Sequence, residues 1–274
     1  MAVAAPDLKG VAAETVVCFE EHDLLTSASA IAFQVLTAIV PFLLFALALL
    51  GFLSLDDVWR DHVADHVRHN VSHAMFTTID DTVTKVLGSR QVFWMTAGLA
   101  LAVWQVSGAV RAVMGALNRI YRVERRRSWR RRMIVSTYLA IEVGLALLLA
   151  LAVVSGAPLV YGDVGQPAGA LLFVLRWSIA GALMLLSIGL LLRHGPATRR
   201  PVRWVSFGSM LVMVSWLVMS LGFVGYLKFV ASYESVFGNL ATVVVLLGYL
   251  YLSSLVFLAG AQVDAVVRRR VDGA

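Results

Sequence analysis

Six blocks of apolar sequence, each about 20 residues or longer, constrain this chain more than anything else in it. A hydrocarbon core of roughly 30 Å takes about 20 residues of α-helix to cross. The blocks run from about Ala28 to Leu53, Val92 to Val113, Ile134 to Ala157, Ala170 to Leu192, Val205 to Phe229 and Leu240 to Val263. Inside lipid every backbone N–H and C=O must be bonded within the protein, so only helices and closed barrels span a membrane. A barrel would need strands of about ten residues with alternating polarity, and these blocks do not alternate. The fold class expected is an all-α polytopic membrane protein, a bundle of about six transmembrane helices with amphipathic helices in the first outer segment.

The remaining composition agrees. Only 15% of the 274 residues are charged, against roughly 25% in soluble domains. The net charge of +6 is concentrated in short linkers. Residues 118–132 hold eight arginines and one glutamate; Arg193, Arg199, Arg200 and Arg203 follow the fourth block, and Arg268, Arg269 and Arg270 follow the sixth. Residues 54–91 instead carry six aspartates against Arg60, Arg68, Lys85 and Arg90. Basic residues collect on the cytoplasmic side of membrane proteins. The alternation places both termini and the two basic linkers in the cytoplasm, although the N-terminal segment itself is acidic. The lack of a cleavable leader pattern at the N-terminus, together with the basic linkers, fits a bacterial plasma (inner) membrane.

The expected organisation is a cytoplasmic segment over 1–27, a transmembrane domain over 28–265 and a basic tail over 266–274. Residues 10–27 read as a short helix at the membrane surface. In the outer segment 54–91, Val63, Val67 and Val71 repeat every four residues and Ile79, Val83 and Val86 continue the pattern. This predicts one or two amphipathic helices, lying on the outer surface or capping the bundle. Cys18 is the single cysteine, which excludes an intrachain disulfide framework and reads as a free thiol packed on apolar surface.

Polar groups inside lipid are costly and are therefore candidates for function. Gln34 and Pro41 lie in the first block. Proline removes a helix hydrogen bond and should kink the helix there; a packed glutamine beside a structural kink is the plainer reading, a binding site the sharper one. Gln105 and Arg111 lie in the second block, where interhelical hydrogen bonding and snorkelling to headgroups compete with a cavity role. Glu142 is the most informative carboxylate. It sits about two turns into the third block and must be protonated, paired or exposed to a polar cavity, with Arg111 a candidate partner. Arg176 and Lys228 lie toward the outer side, lining a cavity for an anionic headgroup or snorkelling.

His62, His66, His69 and His73 fall at offsets of 0, 4, 7 and 11, which on one continuous helix would share a face. A zinc site, a pH-sensitive patch and a solvated face are the three readings, and the last is preferred; no HExxH motif is present. No cofactor is expected. Arg125, Arg126, Arg127, Arg130, Arg131 and Arg132 serve topology and binding of anionic membrane lipids, at about 1 kcal/mol per basic residue near a charged leaflet. Trp129 alone makes no stacking platform, so a nucleic-acid partner is not expected. No nucleophile or acidic metal-ligand set with supporting groups stands out, and an enzyme is not expected.

Three segments carry a family resemblance over about 25–265. They are SASAIAFQVLTAIVPFLLFALALLG in the first block, AVWQVSGAVRAVMGALNRIYRVERRRSWRRR after it, and YESVFGNLATVVVLLGYLYLSSLVFLAGAQVDA at the end. Together, in this order on a six-block frame, they resemble the YihY/BrkB family, formerly called ribonuclease BN-like. Gln262 and Asp264 depart from the Glu and Asn of many relatives, and Gly248 from a tryptophan. The resemblance implies a six-helix inner-membrane protein linked to envelope integrity, with no agreed activity and no support for the ribonuclease label. Two functions follow as expectations. One is a transporter or exporter of a lipid or other anionic envelope component. The other is a scaffold that binds an envelope protein partner through residues 54–91. A homo-oligomer fits either.

Overall fold

The computed structural model describes residues 8–53, 59, 64–70, 73–88, 92–123, 127–161, 168–197, 207–229 and 238–272. The described residues form helices α1 (Leu8–Glu21), α2 (Leu24–Phe52), α3 (Ala64–Asn70), α4 (His73–Gly88), α5 (Val92–Ile120), α6 (Trp129–Tyr161), α7 (Ala168–His194), α8 (Phe207–Phe229) and α9 (Gly238–Asp272). Among them α2, α5, α6, α7 and α9 are long and apolar enough to cross a membrane, and α8 contributes a shorter apolar stretch, Met210–Tyr226. The protein is an all-α membrane bundle.

The helices follow one another around a closed ring. α2 packs on α5, α5 on α6, α6 on α7, α7 on α8, α8 on α9, and α9 returns to α2. The α2–α5 interface is the most extensive, and α5 also touches α7 and α9. Of the five long spans α5 is the least apolar and the most enclosed. Its polar side chains need neighbours that lipid cannot supply, whereas α6 and α7 turn Leu145, Leu151, Leu171 and Val174 outward. That outward apolar surface is what a bilayer solvates.

The main core lies at one end of the ring. Leu24, Ala28 and Ile31 of α2 meet Val113, Ala116, Leu117 and Ile120 of α5, Ile188 and Leu192 of α7, Val212 of α8, and Leu258, Ala261 and Ala265 of α9. The alanines are small enough to let the helix backbones approach, which is how helices associate where lipid removes the hydrophobic drive. This end also carries the arginines that follow α5, and it is called the basic end below. Toward the opposite end, the described parts of α6 beyond Ala140 and of α7 before Ile188 contain no fully buried residue.

The outer segment caps that opposite end. Val83 of α4 and Trp59 are buried against Leu47 and Leu50 of α2, with Ile79 and Ala64 beside them. The Trp59 indole N–H donates to Asp80 Oδ1 at 2.9 Å. At the basic end α1 packs along α9, and Cys18 is a buried free thiol. α2 runs through Pro41 as a single helix.

Candidate functional site

α5 ends in the sequence Leu117-Asn118-Arg119-Ile120-Tyr121-Arg122-Val123, and its final turn sets up the site. The Arg122 N–H donates to the Arg119 carbonyl at 2.9 Å, and the Val123 N–H to the Asn118 carbonyl at 2.9 Å. This pair of bonds is a Schellman cap, which requires its closing residue to be left-handed and usually recruits glycine. Here Arg122 fills it, with φ of 49°. A side chain with a Cβ costs about 1–2 kcal/mol in that conformation, so the helix end keeps a guanidinium at some expense.

Arg122 lines a cavity of about 540 Å³ together with Arg119, Arg127, Arg132, Asn118, Met114, Gly115 and Val123. Arg122 Nη2 pairs with Glu21 Oε2 of α1 at 2.9 Å. Arg119 donates to Ser27 Oγ at 2.6 Å, and Arg132 donates to the Arg111 carbonyl at 3.2 Å. Arg127 caps the far end of α7, donating to the carbonyls of His194, Gly195 and Pro196 at 2.8, 3.2 and 2.7 Å. Those carbonyls have no helical partner of their own and carry the negative end of the helix dipole. Burial, then the charge of Arg131, lowers the Arg127 pKa below its ordinary value; an arginine so shifted remains charged at neutral pH. Asn118 Oδ1 accepts the Ala197 N–H at 2.9 Å, tying the same turn to α5.

A second polar layer ties α9 to α1 and to the residues that follow α1 and α5. His22 Nδ1 donates to Gln262 Oε1 at 2.9 Å, both residues buried. Tyr121 O–H approaches Asp264 Oδ2 at 3.4 Å, and Arg269 lies 3.8 Å from Glu14. The acidic character of the N-terminal segment, which gives no orientation signal by itself, is used here to hold α1 against the arginines.

Deeper in the bundle, Gln34 of α2 lies over Gly108 of α5. A Cβ at position 108 would sit 2.6 Å from Gln34 Oε1 and 3.6 Å from Arg111 Nη2, so the glycine leaves room for the Gln34 amide. Arg111 also stacks over Trp104, 6.0 Å from its ring centroid, and its Nη1 is buried with no hydrogen-bond partner among the described residues. Gln105 is half-buried on the same helix. Glu142 does not pair with Arg111 as the sequence suggested. It faces α7, where Ser187 Oγ donates to its Oε1 at 2.9 Å, and its Oε2 is buried and unpartnered among the described residues. Arg111 lies instead over Trp104 of its own helix. Arg176 stacks on Phe173 at 4.9 Å with its Nε buried and unpartnered among the described residues.

Phe42 and Phe45, just after Pro41, line an apolar groove of about 160 Å³ with Leu99, Val103, Val106, Ile141 and Leu145. α5 lines the groove with residues up to Val106 and the arginine cavity with residues from Met114 onward. At about 3.6 residues per turn, positions 106 and 122 stand about 160° apart around the axis, so the two surfaces lie at successive levels of one helix but on different sides of it. Val110 and Met114, buried with Leu139 and Ala140, pack between them.

The expected histidine face is not one surface, because His69 closes α3 and His73 opens α4. Both are exposed, and His69 pairs with Asp65 at 3.4 Å. Among the described residues no group of three or more His, Cys, Asp or Glu could hold a metal. His62, Arg125 and Arg126, and the side chains of His66 and Lys228, lie outside the described residues. Arg130 and Arg131 are exposed.

Comparison with known proteins decides the family. The family described as Virulence factor BrkB matches residues 15–274. The chain belongs to the BrkB family. It is 24% identical to the ribonuclease-like protein YfkH of Bacillus subtilis over 259 residues, 91% of this chain and 92% of that one. It is 23% identical to the membrane protein MS0032 of Mannheimia succiniciproducens over 260 residues, covering 91% and 86% of the two chains. No solved structure matches significantly. The BrkB family is generally regarded as non-catalytic despite the ribonuclease-like name of one relative. Among the BrkB residues that frame this site, Ser187, Arg119 and Arg122 were not singled out from sequence. A serine in an apolar block carries little signal, and Arg119 and Arg122 read as part of a topology signal until the fold shows what they line.

Proposed function

We propose that this BrkB-family protein binds and moves an anionic amphipathic component of the cell envelope. The observation that carries this reading is that one helix, α5, borders an apolar groove with Phe42 and Phe45 at one level and an arginine-lined cavity at the next. A ligand with an acyl part and an anionic head has matching surfaces along that helix, its path winding around α5 from one to the other. Val106 and Arg119 are separated by about 20 Å of helix, near the depth of one bilayer leaflet with its headgroups. The packed Val110, Met114, Leu139 and Ala140 divide the two surfaces in this conformation, so movement requires that seal to part.

The same proposal sets the protein in a bacterial inner membrane with its basic end and both termini in the cytoplasm, following the distribution of arginines. The scaffold reading draws less support. The apolar side of the outer segment is spent on Leu47 and Leu50 of α2, leaving mainly its polar side for a partner.

Transport is tested by reconstituting the full chain in vesicles that carry a labelled anionic phospholipid and measuring its transfer between leaflets. Glu142→Gln keeps an oxygen for Ser187 but removes the ionisable group from the α6–α7 seam, and the expected result is reduced transfer. Unchanged transfer in that variant, at matched protein levels, removes Glu142 from the mechanism; no transfer above empty vesicles by the wild-type protein rejects the reading.

A further inference from the structure

We infer that the cavity at the basic end is a phosphate-binding site, with Arg119, Arg122 and Arg132 as its cationic partners and Glu21 of α1 as an intramolecular competitor. The inference rests on the amphipathic-anion reading and specifies the chemical group recognised. Four guanidiniums line one space of about 540 Å³. Only Arg122 meets a carboxylate among the described residues; Arg119, Arg127 and Arg132 meet neutral oxygens. Arg127 is committed to the end of α7, so the other three remain for a ligand. Converging forked donors with uncompensated charge suit a group with several acceptor oxygens, and phosphate suits them better than a carboxylate does.

Two further observations point the same way. Arg122 holds a left-handed position that glycine would occupy without strain. Strain retained at a lining residue is a signature of a functional site. Its partner Glu21 belongs to α1, a separate helix, and the pair is roughly half exposed. A carboxylate there supplies one negative group where phosphate would supply more, so an arriving phosphate displaces Glu21 from Arg122. Met114, Gly115 and Val123 give the cavity an apolar wall, which suits a phosphate carried on an organic group. Gly115 faces open space: a Cβ there meets nothing within 4 Å.

The test is isothermal titration of the purified full chain with three probes: inorganic phosphate, glycerol phosphate and a short-chain phosphatidylglycerol. Saturable binding is expected. Arg119→Gln and Arg122→Gly should each weaken it about fivefold. Arg122→Gly should leave Tm unchanged or raised, since glycine relieves the cap, so weaker binding there is not unfolding. Gly115→Phe should fill the cavity and abolish binding. Glu21→Gln should tighten it by up to about fivefold, the upper range for an exposed ion pair. Tighter binding of the lipid than of free phosphate assigns the group to a headgroup, and equal affinity assigns it to a soluble phosphate compound; both support a phosphate site. Absence of saturable binding by all three probes, or full binding in Gly115→Phe, overturns it. Weaker binding in Glu21→Gln overturns the competitor role. Lipid transfer without saturable binding rejects this site while leaving the transport reading intact; saturable binding without transfer does the reverse.

Discussion

Gly195 sits where the chain leaves α7 and crosses α5. A Cβ at that position would press on the Leu191 carbonyl and lie 2.8 Å from Leu117 Cδ1. A backbone oxygen cannot step aside as a side-chain tip can, and the same turn is held by Arg127 and by Asn118. Gly195→Ala should therefore lower stability by about 1–3 kcal/mol, read as a lower Tm in detergent. Gly108→Ala is the contrast, because the atom it meets is the movable end of Gln34. The arginines show how far single residues were legible. Their number and place mark one side of the membrane in the sequence, but the different jobs of Arg127, a helix cap, and Arg119, a cavity wall, depend on what lies within 3 Å of each guanidinium. Glu142 was legible as costly and illegible as to partner, since Ser187 comes from a helix 45 residues away.

At the scale of elements, the segment after α2 follows its sequence pattern at Ile79 and Val83, while Val63 and Val71 and the side chains of Val67 and Val86 lie outside the described residues. Val83 and Ile79, read as an apolar stripe, bury against α2 as a cap. What the pattern lacked was Trp59, whose N–H fixes Asp80 and so holds α4 to the residues after α2. Trp59→Phe keeps the ring and removes that bond. The expected loss is about 1 kcal/mol, seen as faster hydrogen exchange across His73–Gly88 with the exchange of α5 unchanged; uniform acceleration throughout the chain would contradict a local role for this contact. The histidine series illustrates the opposite case. Offsets of 0, 4, 7 and 11 describe one face only if the helix is continuous, and His69 and His73 belong to two helices.

For the whole molecule, the arrangement of charge makes a further prediction. In a Cys18→Ser background, single cysteines replacing the exposed Ser128 and Thr77 should react with an impermeant maleimide on opposite sides of the membrane, Ser128→Cys from the cytoplasm and Thr77→Cys from outside. Labelling of both from one side would refute the proposed orientation. Most of the bundle was legible because bilayer thickness and the cost of unbonded backbone groups act on each apolar block separately, whatever its neighbours. Those constraints are local along the chain, and the sequence alone determined the helices, their number to within the shorter α8, and the basic character of alternate linkers. Which helices touch is a property of packing. Ring closure of α9 onto α2, the concentration of the core at the basic end, the pairing of Glu142 with Ser187 and that of Arg122 with Glu21 join residues from 45 to more than 200 positions apart. Only the tertiary structure decided these, because contact energies between helices depend on shape and side-chain direction that no local pattern records.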